Sequence, residues 1–100
     1  MNTEHDERVI RRLRTVGINT FLKYYFVFKY YSKEKCLQAF DESDVQISLE
    51  SRVTKTNAAK AIFENGWHIP ALLYIRDSAS RVDARKKQEA VWYLNLEADA

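Results

Sequence analysis

More than half of the aromatic residues of this chain lie in one short stretch, residues 18–31, and this stretch restricts most strongly how the chain can fold. Its fourteen positions hold seven of the thirteen aromatic side chains. Wound as an α-helix at about 100° per residue, it presents apolar residues around most of its circumference and a narrow polar strip at Asn19, Thr20 and Lys23. A helix of this kind belongs inside a protein. We therefore predict an aromatic-rich central helix over about residues 18–31 that other helices surround.

The composition favours helices over strands. Two glycines and one proline are too few for the many turns of an all-β chain. Apolar residues make up 46% of the 100 positions, as in an ordinary globular protein, and this length suits a single domain. We predict a compact all-α domain of five or six helices over residues 1–100. One alternative stays open, because apolar and polar residues alternate over residues 26–30 and 45–49, which also suits a small pair of strands.

Two predicted helices flank the central one. The first starts at Asn2 or Thr3, either of which can cap a helix, and ends at Gly17. The third runs from Lys33 to about Asp41, and a polar loop follows it. The apolar residues at helical spacing, which we expect to be buried, are Val9, Ile10, Leu13 and Val16 in the first helix and Cys36, Leu37 and Phe40 in the third.

Three further helices are predicted in the second half of the chain. The fourth begins at a threonine within residues 54–56 and ends at residues 65–66, Asn-Gly, since both residue types tolerate the left-handed conformation of helix ends. Pro70 opens the fifth helix, and Ser80 or Asp83 caps the last one. The residues expected to be buried are Ala58, Ala59, Ile62 and Phe63 in the fourth helix, Leu72, Leu73 and Ile75 in the fifth, and Val91, Trp92 and Leu94 or Leu96 in the last.

The sequence carries no motif for the common kinds of catalysis or metal binding. It has no glycine-rich phosphate loop, no nucleophile elbow and no HExxH motif. His5, Cys36 and His68 have no recognised zinc-ligand spacing. A calcium loop over residues 41–52 would need Gly at its sixth position and Glu at its twelfth, where the chain has Gln and Arg. We therefore expect no enzyme, no catalytic residue, and no cofactor or metal.

The cysteine count favours a reducing, cytoplasmic location. The single cysteine, Cys36, cannot form an internal disulfide, and the N-terminal sequence does not resemble a signal peptide. No apolar run approaches the roughly eighteen residues that a membrane span needs. Because Cys36 lies on the inner face of its predicted helix, we expect a buried and inert thiol.

The aromatic stretch predicts a surface for protein partners. Not every ring in residues 18–31 can fit inside a domain of this size, and Phe26 and Tyr30 lie nearest the polar strip. Exposed clusters of Tyr and Phe mark protein interfaces. We therefore predict that the protein binds a protein partner or a second copy of itself, with Phe26 and Tyr30 as candidate contacts.

Nucleic-acid binding is the alternative prediction. A net charge of +2 does not by itself indicate a nucleic acid or an acidic membrane. A basic cluster nevertheless opens the last predicted helix, and it consists of Arg81, Arg85, Lys86 and Lys87. Arginines of the first helix also share a face, namely Arg8, Arg11 and Arg12, although Glu4 and Glu7 beside them oppose phosphate. The helices on either side of Gly66 are spaced like a helix-turn-helix, but the second offers only Arg76 to base edges, so we expect no sequence reading there.

The beginning of the chain and its aromatic stretch resemble a known family. The relevant segments are HDERVIRRL at residues 5–13 and TFLKYY at residues 20–25. They are similar to the small, uncharacterised YoaC-like proteins of enteric bacteria, with the similarity extending over most of the chain. The resemblance implies a bacterial protein with a compact multihelical domain in which one helix is surrounded by the others. The matching residues are structural and carry no active-site motif.

Overall fold

The computed structural model describes residues 7–41, 48–77 and 82–99, with the side chains of residues 40 and 41 left out. Within these ranges the chain forms seven α-helices and no strand. The helices are α1 (Glu7–Val16), α2 (Ile18–Lys23), α3 (Tyr25–Tyr30), α4 (Lys33–Asp41), α5 (Leu49–Glu64), α6 (His68–Asp77) and α7 (Ala84–Asp99). The predicted all-α, multihelical fold is confirmed.

The central aromatic stretch is helical on both sides of a bend at Tyr24. This residue has φ −111° and ψ 25°, outside the range of a regular helix, and it separates α2 from α3. Hydrogen bonding continues through the bend, because the Tyr24 N–H donates to the Thr20 carbonyl at 3.0 Å and the Phe28 N–H donates to the Tyr24 carbonyl at 2.9 Å. The predicted single helix is therefore two short ones, which raises the count of described helices to seven.

The stretch lies at the centre of the molecule, as predicted. Phe21, Leu22, Tyr25 and Phe28 are all buried. On one side the stretch packs against α5, and on the other side α2 packs against α7. Residues 26–30 belong to α3, so they form no strand; of the second segment in that alternative, residues 45–47 lie outside the described ranges and the rest leads into α5.

The outer helices complete the core through most of the residues that the sequence predicted. Ile10, Leu37, Phe63 and Leu73 are half-buried instead, and the side chain of Phe40 lies outside the described part. Helix α1 packs on α5 and α6, while α7 packs on α6. The predicted residues that are buried are Val9, Leu13 and Val16 in α1, Cys36 in α4, Ala58, Ala59 and Ile62 in α5, and Leu72 and Ile75 in α6. Full burial of one such side chain, for example Leu13, stabilises the fold by about 1.5–3 kcal/mol. The predicted burial of Cys36 is confirmed in the same way, while its inertness stays a prediction. Burial raises the pKa of the thiol, which donates to the Val27 carbonyl at 3.4 Å.

Two glycines end helices where the backbone enters the left-handed region. Gly17, at φ +91°, separates α1 from α2, and Gly66, at φ +70°, follows α5. A side chain would be strained at either position, which explains why glycine suits both. These two predicted helix ends are confirmed.

The start of α5 differs from the prediction. The helix begins at Leu49, with Ser48 as its cap, whose hydroxyl accepts a hydrogen bond from the Ser51 N–H at 3.1 Å. The predicted start within residues 54–56 is wrong. Leu49 and Val53 are 60% and 38% exposed. The first turns of α5 therefore lack the buried apolar residues at helical spacing that would predict a helix from the sequence.

The buried face of α7 is also not the predicted one. Val91, Trp92 and Leu94 or Leu96 were expected to be buried, but Val91, Trp92 and Leu96 are 38%, 55% and 38% exposed. Ala90 is fully buried instead, and Tyr93 and Leu94 pack partly against the core. Positions 90, 93, 94 and 97 recur at i, i+3, i+4 and i+7, so they form one helix face. The apolar residues of α7 lie on both faces, and contacts with α2, α3 and α6 decide which face is inside.

Candidate interaction surface

The inner face of α7 is attached to α3 through a nearly buried carboxylate. The side chain of Glu97 is 10% exposed. Its Oε2 accepts a hydrogen bond from the Tyr25 hydroxyl at 2.6 Å, and its Oε1 accepts one from Lys29 Nζ at 2.5 Å. His68 Nε2 of α6 lies 3.7 Å from Oε2. One side chain of α7 therefore joins groups from two other helices.

The electrostatics of this cluster keep Glu97 ionised. Burial alone would raise the pKa of Glu97, but the hydrogen bonds from Lys29 and Tyr25 outweigh burial and hold the pKa below its usual value. Burial lowers the pKa of His68, and Lys29 adds to this effect while Glu97 opposes it. Burial and the Glu97 carboxylate together raise the pKa of Tyr25. At neutral pH the cluster therefore consists of a neutral tyrosine, a carboxylate, an ammonium group and a neutral imidazole.

Tyr93 fixes the same face of α7 closer to its middle. Its hydroxyl donates to the Leu22 carbonyl at 2.8 Å. Its ring stacks on the ring of Tyr25, with the centroids 4.3 Å apart. Together with Glu97, Tyr93 holds α7 in one orientation, and this orientation determines which side chains face outward.

The outward face of α7 is apolar at its centre. It carries the exposed residues Val91, Trp92 and Leu96. Val91 and Trp92 line a shallow pocket of about 390 Å³ together with Lys87, Gln88 and Asn95. A helix with apolar residues on two faces is typical of a position between two partners.

A continuous row of rings connects this face to α3. The ring centroids of Trp92 and Tyr93 are 5.0 Å apart, those of Tyr93 and Phe26 are 5.3 Å apart, and those of Phe26 and Tyr30 are 5.9 Å apart. We call these four residues the aromatic surface. Tyr30 and Trp92, at its two ends, are 67% and 55% exposed, and Phe26 and Tyr93 are half-buried between them.

The aromatic surface contains both predicted partner contacts and two residues that sequence reasoning missed. Phe26 and Tyr30 lie beside each other on the surface. Trp92 was assigned to the core, and Tyr93 was not considered. The signal that was available is the distribution of apolar residues in α7 over two faces, which indicates a second buried contact beyond the domain itself.

The basic cluster at the start of α7 is divided among different surroundings. Arg81 lies outside the described residues, and Arg85 is exposed. The carboxylate of Asp83 caps the helix by accepting from the Lys86 N–H at 2.9 Å, and it also contacts Lys86 Nζ at 3.2 Å. Lys87 lines the apolar pocket beside Trp92. A carboxylate therefore already occupies the helix end that a phosphate would prefer.

The described parts of the chain contain neither a cluster of metal ligands nor a membrane-spanning helix. No group of three or more His, Cys, Asp or Glu side chains in these parts can hold a metal ion. None of the helices described is both long and apolar enough to cross a membrane. His5, one of the residues considered as a metal ligand, lies outside the described ranges.

Comparisons with protein-family models, with curated proteins and with solved structures found no match to this chain. The resemblance to the YoaC-like proteins therefore stays a prediction. The function of the chain is best inferred from the aromatic surface and the outward face of α7 beside it.

Proposed function

We propose that this chain is a non-catalytic, cytoplasmic protein-binding module that contacts a protein partner, or a second copy of itself, through the aromatic surface and the outward face of α7. The observation that carries the proposal is the exposure of Trp92, at 55%, within a row of packed rings. Trp and Tyr are enriched among the residues that contribute most to binding at protein interfaces. The single cysteine, buried as a thiol, supports the reducing location.

The energetics favour covering this surface. The exposed part of a half-exposed tryptophan is on the order of 100 Å², and at about 25 cal/mol per Å² its burial is worth roughly 2–3 kcal/mol. Tyr30 at the other end of the row is still more exposed, at 67%. Two such exposed aromatic side chains, at the ends of one row of packed rings, can form the centre of an interface.

The surface is also organised before any partner arrives. Glu97 and Tyr93 hold α7 against α3 and α2 from beneath, and Lys29 Nζ lies 5.1 Å from the Tyr30 ring centroid. A surface that is already ordered loses less conformational entropy on binding. The outward face of α7 is about 24 Å long, at 1.5 Å per residue. A stable interface usually buries about 800 Å² per partner, which is more area than a few aromatic side chains provide. The aromatic surface therefore supplies the centre of an interface, and neighbouring residues supply its rim.

Site-specific photo-crosslinking in living cells tests the proposal. We would place p-benzoylphenylalanine at position 92 and, as a control, at Glu34, an exposed residue of α4. We expect a discrete adduct from position 92 and none from position 34. The mass of the adduct distinguishes a second copy from a different protein. A Tyr30→Ser substitution in the same chain should reduce the adduct, because Tyr30 belongs to the same surface.

Two results would count against the proposal. One is the lack of an adduct from position 92 at native expression levels. The other is an adduct that Tyr30→Ser leaves unchanged, since this would mean that the crosslink reports chance collisions. The nucleic-acid alternative predicts instead retention on DNA or RNA that falls steeply with salt and weakens when Arg85 and Lys86 are changed to Glu.

A further inference from the structure

A second pocket, which shares no residue with the aromatic surface, lies between α1 and the turn before α6. It has a volume of about 240 Å³ and is lined by Arg8, Arg11, Arg12, Thr15 and Trp67. Three of these five side chains are guanidinium groups, and no acidic side chain of the described residues is among them. The pocket is therefore strongly basic in a protein whose overall charge is only +2.

The sequence places these groups together by helical spacing and by one long-range contact. Positions 8, 11, 12 and 15 lie at i, i+3, i+4 and i+7, so they share a face of α1 that points away from its buried stripe. Trp67 is fixed in the turn between α5 and α6, where its backbone N–H donates to the Ile62 carbonyl at 2.8 Å. The Arg8 guanidinium lies over the indole ring, 5.4 Å from its centroid. This contact closes one wall of the pocket and orients the guanidinium group.

The charges of the remaining arginines are not neutralised within the described part of the chain. No carboxylate there lies within ion-pair distance of Arg11 or Arg12, and the Glu7–Arg11 pair that the i,i+4 spacing suggests is not formed. Like charges at i,i+3 and i,i+4 repel each other on a helix. The Thr15 hydroxyl donates to the Arg11 carbonyl at 3.1 Å, so the donors that face a ligand come from the guanidinium groups. Such a pocket suits a multiply charged oxyanion.

We propose that this pocket binds a phosphate group through Arg8, Arg11 and Arg12, with Trp67 as its apolar wall. Guanidinium groups match the oxygen geometry of phosphate and form two parallel charge-assisted hydrogen bonds to it. The volume is below the range of about 300–1,000 Å³ that is typical for whole small-molecule ligands. The pocket therefore accepts one or two phosphate groups, either of a small phosphate compound or at the end of a nucleic-acid strand, while the remainder of that ligand stays outside.

Trp67 makes the site directly measurable. The chain contains two tryptophans, so the Trp92→Phe protein has Trp67 as its only indole. We would titrate this protein with inorganic pyrophosphate at low salt and record the indole fluorescence. We expect a saturable change, and we expect Arg11→Gln and Arg12→Gln each to weaken binding about tenfold or more, because each removes a charge-assisted contact. Arg14→Gln is the matched control, since Arg14 is an exposed arginine of the same helix outside the pocket.

Two arms of the experiment identify the source of the phosphate. A 5′-phosphorylated single-stranded oligonucleotide that binds more than tenfold tighter than pyrophosphate, with an affinity that falls steeply with salt, indicates a nucleic-acid strand. Equal or weaker binding of the oligonucleotide indicates a small phosphate compound. The proposal is overturned if pyrophosphate causes no saturable change in indole fluorescence up to about 10 mM. This concentration is far above the Kd that several charge-assisted contacts give. It is also overturned if Arg14→Gln weakens binding as much as Arg12→Gln does, while circular dichroism shows that all variants remain folded.

Discussion

Single residues of the central stretch differ widely in what they contribute, although they are chemically alike. Phe28 is fully buried and Tyr30, two positions later, is 67% exposed. Both are aromatic residues of the same short helix, so their neighbours rather than their type decide their roles. Phe28 belongs to the core, whereas Tyr30 is available to a partner.

Truncation of these two side chains should separate the roles. We expect Phe28→Ala to lower the free energy of unfolding by about 3–5 kcal/mol, because it removes buried apolar surface and leaves a cavity. Tyr30→Ala should change it by less than about 0.5 kcal/mol, as for other surface substitutions. Urea denaturation followed by circular dichroism measures both values. Similar losses for the two variants would mean that Tyr30 is packed in the core.

At the scale of the element, α7 is the helix whose sequence is least informative about its orientation. Local spacing predicts the buried face of α1 correctly, because Val9, Leu13 and Val16 have no competing apolar face. In α7, the apolar residues that follow Ala90 lie on two faces of the helix, and the pattern selected Trp92 for the core. The hydrogen bond from Tyr93 to a carbonyl of α2 joins residues 71 positions apart, so no local pattern contains it.

A pair of neighbouring substitutions tests which face of α7 is buried. Ala90 is fully buried and Val91 is 38% exposed. We expect Ala90→Leu to destabilise the protein by about 1–3 kcal/mol, because extra methyl groups do not fit a packed core. Val91→Leu adds one methylene group to the exposed face and should be nearly neutral. Thermal unfolding of both variants provides the comparison, and the opposite order would mean that α7 is rotated about its axis.

Local sequence patterns also failed to predict other sites, because these sites depend on residues far apart in the chain or on turns without a buried stripe. Ser48 was passed over as a cap because the turns after it lack a buried stripe. Arg8 and Trp67 are 59 positions apart, and the packing of α1 against α5 and α6 brings them together. The spacing of the arginines on α1 was visible in the sequence, whereas the indole that completes their pocket was not. Class of fold and most of the core follow from local periodicity, but surfaces made by two elements do not.

For the whole molecule, the cluster around Glu97 links stability to pH. Both pKa changes act in the same direction. The pKa of His68 is lowered from 6.5 by burial, so protonation favours the unfolded state once the pH falls below about 6.5. The pKa of Glu97 is lowered from 4.5 despite burial, through its hydrogen bonds, so its contribution is present above about pH 4.5 and is lost as the pH falls through the folded-state pKa.

We therefore expect stability to fall in two stages on acidification. His68→Gln should flatten the dependence of unfolding free energy on pH just below 6.5, and Glu97→Gln should flatten it below 4.5. At pH 7, Glu97→Gln should also cost about 2–3 kcal/mol, because Lys29 loses its charged partner. Urea denaturation at a series of pH values measures these effects, with Glu34→Gln as an exposed control. A Glu97→Gln protein with an unchanged acid profile would contradict this assignment.

The bend at Tyr24 has a consequence for how the chain is made. It divides the aromatic-rich central stretch into two helices of six residues each. Isolated helices shorter than about 12–15 residues are barely stable in water. Neither piece can persist until α5 and α7 enclose it, and the carboxylate that fastens α7 to α3 is at position 97. During synthesis on the ribosome, the middle of this protein must therefore wait for α7, the last helix described here, to emerge.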